Sequence, residues 1–135
     1  MEQNDLAALT AAMPLAAVLG VELTSADAAE VRGRLGWRAD LCTVGGVLHG
    51  GALMALADST GAVCAFLNLP AGATTSTIES KTNFFRGVRA GEVRAVSRPL
   101  HVGGSTVVVQ TDLYDDSDRR VGQTTQTQAV RTPRA

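Results

Sequence analysis

Asp58 stands alone in a long uncharged segment of the sequence. Between Asp40 and Glu79 no other side chain carries a full charge at neutral pH, and most residues of "GGVLHGGALMALADSTGAVCAFLNLP", residues 45–70, are small or apolar. A carboxylate in such surroundings acts as a nucleophile or base, or it caps backbone N–H groups. Asp58 is therefore the first candidate for chemistry. The alternative is an internal cap on the backbone of residues 59–61.

The segment that carries Asp58 is predicted to be a buried helix over residues 50–66. It contains no Pro, and its length corresponds to about four to five turns. On a helical wheel the larger apolar residues share one side, while the side of Asp58 carries Met54 and small residues, namely Gly51, Ala55, Gly61, Ala62 and Ala65. The small residues are expected to leave room for a second backbone or a thin ligand.

Two glycines follow His49 where this helix should begin. Backbone N–H groups at a helix start lack acceptors and favour negative charge, so Gly50 N–H is suited to polarise a carbonyl or hold an oxyanion. Gly50 and Asp58 are eight residues apart, which corresponds to about 12 Å along a helix. We therefore expect a second copy, with the two helices antiparallel across a two-fold axis, to bring Asp58 of one subunit to Gly50 of the other.

The flanking segments read as strands joined by short turns, which favours an antiparallel sheet. "VRGRLGW" alternates apolar and charged residues, and four further strands are predicted in "TTSTIESKTNFF", "GEVRAVSRPLHV", "STVVVQTDLYD" and "RVGQTTQTQAV". A helix that is apolar on most sides has to be enclosed. The predicted fold class is α+β, with one curved antiparallel sheet wrapped around a long central helix, and residues 1–135 form one domain.

The motif "GGVLHGGALMALAD" resembles the helix start of hotdog-fold acyl-CoA thioesterases, in particular the phenylacetate-degradation-type branch. The resemblance covers nearly the whole chain, and "TNFFRG" followed by "GEVRA" is similar to the family's strand, arginine turn and next strand. It implies hydrolysis of acyl-CoA or aryl-CoA thioesters to free acid and coenzyme A, with no metal and no redox cofactor. It also implies a homodimer, assembled as a dimer of dimers.

The resemblance further implies a role for individual residues. Asp58 matches the catalytic acid, as nucleophile or general base, and Gly50 matches the donor to the thioester carbonyl. His49 is expected to shape the helix start and to contact substrate. The remaining substrate contacts are expected at Thr43, Gly51, Met54, Asn83, Phe85, Arg86 and Arg89. Thr43 stands where relatives often carry Asn or Gln and reaches less far. Arg86 and Arg89 either bind the phosphates of coenzyme A or are merely solvated.

Composition limits the other possibilities. The 135 residues carry a formal net charge of -1, which gives no basis for binding nucleic acid or an anionic membrane surface. The first five residues contain two acids and no Lys or Arg, unlike a secretory signal, so a cytoplasmic protein is expected. Cys42 and Cys64 are expected to be free thiols. The rival function is a noncatalytic acyl-CoA-binding module or sensor on the same fold.

Overall fold

The computed structural model describes residues 1–133, in which six strands form one antiparallel sheet. The strands are β1 (Glu22–Ala26), β2 (Val31–Gly36), β3 (Thr74–Phe84), β4 (Glu92–Val102), β5 (Thr106–Tyr114) and β6 (Arg120–Arg131). Their order in the sheet is β1-β2-β4-β5-β6-β3, so β1 and β3 are the edges. The four strands predicted after the helix are confirmed, with bounds that shift by one residue or less.

The central helix α3 spans Gly50–Phe66, as predicted, and packs against all six strands. One side of it enters the core through large apolar residues, among them Leu53, Leu56 and Val63. Because one helix contacts every strand, the sheet has to curve around it. The predicted hotdog fold, α+β with a sheet wrapped around a long helix, is therefore confirmed.

Both cysteines are free thiols, as predicted. Cys64 lies on the core side of α3 and is fully buried, and this burial raises the pKa of its thiol to about 11. Cys42 is partly exposed in the segment that leads to α3. Burial of a thiol against apolar neighbours makes it a packing group rather than a reactive one.

The N-terminal segment forms two helices, α1 (Gln3–Ala11) and α2 (Pro14–Leu19). The break falls before Pro14, which lacks an N–H and suits the first position of a new helix. Helix α1 begins at Gln3, and Asp5 lies in its first turn. There the carboxylate still faces the positive end of the helix dipole.

A β-bulge in β3 sets which residues face α3. The register with β6 shifts between Thr77 and Glu79, so Ile78 is unpaired. Before the bulge, Thr75 and Thr77 face α3 and form hydrogen bonds with Gln128. After the bulge, Thr82 and Phe84 face α3. An extra residue inverts the alternation of a strand. Both halves of β3 can thus present inward side chains despite an odd spacing.

Within residues 1–133, no helix combines the length and the apolar character that crossing a membrane requires.

Candidate active site

The start of α3 is held by the loop of residues 43–47. Thr43 N–H donates to Val47 O at 2.8 Å, which closes the loop, and both of its glycines have positive φ, 85° at Gly45 and 75° at Gly46. Side chains from outside fix these two residues, since Trp37 Nε1 donates to Gly46 O at 3.0 Å and Arg89 Nη1 donates to Gly45 O at 2.9 Å. These three hydrogen bonds therefore hold the loop before α3 in one conformation.

His49 caps the helix. Its Nδ1 accepts a hydrogen bond from Gly51 N–H at 2.8 Å, so that Nδ1 carries no proton. A Cβ on Gly51 would lie 2.9 Å from this nitrogen, so a larger residue there would displace the His49 ring. The predicted role of His49 in shaping the helix start fits this geometry. Its ring is exposed, so Nε2 is left free to meet a ligand.

Gly50 N–H is the open donor at this helix start. Gly51 N–H is taken by His49, and Ala52 and Leu53 N–H donate to His49 O, at 2.9 and 3.3 Å. Within residues 1–133, Gly50 N–H donates to no acceptor. The ring of Phe84 packs against Gly50, and a Cβ there would lie 3.1 Å from its Cζ. The open donor therefore has an aromatic ring beside it, and a group that accepts its hydrogen bond would lie next to that ring.

Asp58 lies two turns further along α3, half-buried, facing β3 and β6. Its Oδ1 accepts two hydrogen bonds, from Thr77 Oγ1 and from Gln126 Nε2, each at 2.9 Å. Thr77 in turn accepts from Gln128 Nε2 at 2.7 Å. Both donors converge on the same oxygen, so Oδ2 is the oxygen left for other partners.

The internal-cap alternative for Asp58 is wrong. Helix α3 runs unbroken through residues 59–61, and both hydrogen bonds of Asp58 come from side chains of the sheet. The small residue Gly61 has a different use from the one expected. A Cβ there would overlap Gln126 Oε1 and lie 2.6 Å from Gln126 Cδ, so Gly61 makes room for that side chain and leaves none for a ligand.

The predicted substrate contacts in and before the turn between β3 and β4 do not all lie on one side of the sheet. Arg89 is engaged with the loop carbonyl of Gly45, whereas Arg86 is exposed. The ring of Phe85 lies 5.5 Å from the guanidinium of Arg120, on the outer face of the sheet, and Asn83 alternates to that same face. Phe84, rather than Phe85 or Asn83, is the residue that reaches the helix start within one subunit.

An apolar pocket of about 300 Å³ opens beside His49. Its walls are Leu15 and Leu19 of α2, the segment of residues 40–42, and Gly51, Ala52 and Ala55 of α3. Met54 lies on the exposed side of α3, 37% exposed, and Thr43 is exposed in the loop. The predicted residues Gly51 and His49 therefore line one pocket, with Thr43 and Met54 outside its walls.

The partners of Asp58 were missed from the sequence. Thr77, Gln126 and Gln128 come from two strands that pair only in the folded sheet. The period-two polar pattern of "QTTQTQ" in β6 is the one feature that could have found them, since Thr124, Gln126 and Gln128 share a face. That face is buried, with Gln126 and Gln128 each 1% exposed.

Residues 45–122, more than half of the chain, match the model of the thioesterase superfamily. Among curated proteins, 1,4-dihydroxy-2-naphthoyl-CoA hydrolase of Escherichia coli is 38% identical over 74 residues, 55% of this chain and 54% of that protein. The chain spans about half the length of the curated relatives it matches first.

Solved structures extend the similarity to almost every residue. A thioesterase from Haemophilus influenzae superposes with a TM-score of 0.90 at 25% identity, covering 98% of this chain and 92% of that one. A thioesterase variant from Pseudomonas aeruginosa gives 0.88 at 28% identity, covering 94% of each chain. By family match and by fold, this chain belongs to the hotdog-fold thioesterase superfamily.

Proposed function

We propose that this protein hydrolyses acyl-CoA or aryl-CoA thioesters to the free acid and coenzyme A. The observation that carries the proposal is the pairing of an isolated carboxylate, Asp58, with an open backbone donor, Gly50 N–H, on one helix. A thioester is an activated acyl group, so a positioned carboxylate and one preorganised donor supply two recognised catalytic effects. The name of the Escherichia coli relative supports an aryl-CoA substrate, as expected for the phenylacetate-degradation-type branch.

The chemistry assigned to the two groups is complementary. Gly50 N–H donates to the thioester carbonyl oxygen and stabilises the negative charge that develops there. Asp58 Oδ2 attacks the carbonyl carbon and forms an anhydride that water then hydrolyses, or it takes a proton from a water that attacks the same carbon. In both routes the C–S bond breaks and coenzyme A leaves as a thiolate. The acyl part occupies the apolar pocket beside His49.

The site is proposed to be shared between two subunits. Along α3 the eight residues from Gly50 to Asp58 correspond to about 12 Å, too far for both groups to contact one carbonyl. The side of α3 with Gly51, Met54 and Phe66 is exposed, and β3 is an edge strand in which Ile78 is 63% exposed. A two-fold axis that passes beside these exposed residues would pair the β3 edges and bury apolar side chains. We therefore propose a homodimer, with dimers paired into tetramers.

The purified protein should be incubated with a panel of aliphatic and aromatic acyl-CoAs while released thiol is titrated. Turnover of at least one thioester, with the aromatic ones preferred, is expected. Binding of these ligands with no release of thiol would overturn the enzyme and favour the noncatalytic sensor. A cytoplasmic location remains part of the proposal, because coenzyme A thioesters are the substrate.

A further inference from the structure

Gln126 is buried although one of its two polar atoms has no hydrogen-bond partner among residues 1–133. It is 1% exposed, and within residues 1–133 its Oε1 accepts no hydrogen bond. A buried acceptor without a donor destabilises a fold. Its Nε2, in contrast, donates to Asp58 Oδ1 at 2.9 Å. The amide is therefore satisfied only on the side of the proposed catalytic carboxylate.

The orientation of the neighbouring donors is set by the same carboxylate. An ionised carboxylate only accepts, so Thr77 has to give its single hydroxyl proton to Asp58 Oδ1. Thr77 then accepts from Gln128 Nε2 at 2.7 Å, and Gln128 Oε1 accepts from Thr75 Oγ1 at 3.1 Å. Three hydrogen bonds in sequence thus all point their protons toward Asp58. A row of aligned donors of this kind fixes the rotamer of the group at its end.

The helix itself is shaped for this contact. Gly61, one turn after Asp58, has no side chain, and a Cβ there would overlap Gln126 Oε1. Gly is less favourable than Ala in a helix interior, so Gly at this position lowers the stability of α3 by itself. Gly61 and the unpaired Gln126 Oε1 both lower the stability of the fold. Together they allow the hydrogen bond from Gln126 Nε2 to Asp58.

We propose that Gln126 is a positioning residue for the reaction, seated by Gly61 and acting through Asp58 together with Thr77 and Gln128. Two donors on Oδ1 direct Oδ2 at the thioester. This rests on the proposed role of Asp58. Gln126 touches neither the substrate nor the leaving group, so its removal lowers kcat and leaves KM nearly unchanged.

Gln126→Met tests this, because Met has a similar length and no polar donor. We expect kcat to fall by about tenfold or more with KM within about twofold of wild type, since misplacing a reacting group is costly. The urea midpoint should stay close to that of wild type, because the change removes both an unpaired buried acceptor and the hydrogen bond to Asp58, which have opposite effects on stability. A residue with only a structural role would lower midpoint and kcat together, and that result would overturn the proposal.

Gly61→Ala is a second test of the positioning role, and it removes no polar group from the chain. It should lower kcat by displacing Gln126. In a Gln126→Ala background the same change should have no further effect on kcat, because the side chain it displaces is gone. Equal and independent losses from the two changes would contradict seating of Gln126 by Gly61.

Ser97→Ala is the matched control. Ser97 is buried under the same helix, but it donates to Thr60 Oγ1 at 3.0 Å and pairs with Thr111. It should lower the urea midpoint while kcat stays at the wild-type value. If Asp58→Asn is inactive and Gln126→Met and Gly61→Ala keep full kcat, the positioning role is wrong while the proposed function stands. If Asp58→Asn itself keeps full kcat, the proposed function fails first.

Discussion

Gly50 and Asp58 both lie on α3, where the eight residues between them correspond to a rise of about 12 Å along the helix axis. A catalytic acid and its carbonyl donor need to contact neighbouring atoms of one substrate. In the proposed dimer the two groups act together across the subunit boundary, and subunits with complementary defects test this proposal.

Mixed dimers of Asp58→Asn and Gly50→Pro subunits should regain activity that neither homodimer has. In such a dimer one of the two sites combines an intact Asp58 with an intact Gly50 N–H. Pro is tolerated at the first position of a helix, and although its ring crowds Phe84, it removes the N–H, which here has no acceptor within residues 1–133. Initial rates after co-refolding measure the recovery, with about half of the wild-type activity per mixed dimer as the expected upper limit.

Gly50→Ala serves as the control for that experiment. It crowds Phe84 as Pro does, since a Cβ would lie 3.1 Å from Phe84 Cζ, but it keeps the N–H. The Ala homodimer should retain most of its activity. If Ala and Pro are equally inactive, or if folded mixed dimers stay silent, the site is not shared in the way proposed.

The two predicted arginines should behave differently. Arg86 is exposed and available to a phosphate, so Arg86→Ala should raise KM for acyl-CoA and spare a short thioester that lacks the nucleotide. Arg89 holds Gly45 O, so Arg89→Ala should impair both substrates by loosening the loop before α3. The ratio of kcat/KM for the two substrates, measured at low and high salt, separates them. An unchanged ratio in Arg86→Ala would place the nucleotide elsewhere.

The thiol of Cys64 should make stability depend on alkaline pH. Burial raises its pKa in the folded protein from 9.0 to about 11. Above pH 9 the unfolded chain loses a proton that the folded chain keeps, so the free energy of unfolding falls as pH rises toward 11. The decline should approach about 1.4 kcal/mol per pH unit at its steepest.

Urea unfolding of wild type and Cys64→Ala at pH 8 and pH 10 measures this effect. The Ala variant starts lower because it loses packing in the core, but it should lose less stability between the two pH values. Parallel declines in the two proteins would show that Cys64 ionises as readily in the folded state as in the unfolded one.

The sequence predicts the helices and strands of this fold well, but it predicts the side-chain contacts between distant segments of the chain poorly. Helix α3 could be bounded at Gly50 and Phe66 because a charge-poor segment without Pro follows a Gly-Gly pair, which is local information. The hydrogen bonds of Asp58 come from Thr77 and Gln126, 19 and 68 residues further along the chain. Such partners depend on strand order and register, which no local pattern contains.

The bulge at Ile78 is a second feature that the local sequence pattern does not reveal. Strict alternation along "TTSTIESKTNFF" puts Thr77 and Phe84 on opposite faces, whereas the extra residue places both toward α3. Asn83 and Phe85, which the family resemblance suggested as substrate contacts, lie on the opposite face of the sheet from Phe84, and Phe84 is the residue beside Gly50. The polar inward face of β6 likewise reads as an ordinary exposed face until its burial is known.

The most direct test of the account is the rate of thiol release by Asp58→Asn with the best substrate of the acyl-CoA panel. The amide can neither attack the carbonyl nor accept a proton, but it is close to the carboxylate in shape and can keep contact with Thr77. We predict a loss of kcat by a factor of about a hundred or more, with acyl-CoA affinity and the urea midpoint close to wild type. Wild-type turnover in a folded Asp58→Asn protein would contradict the central claim.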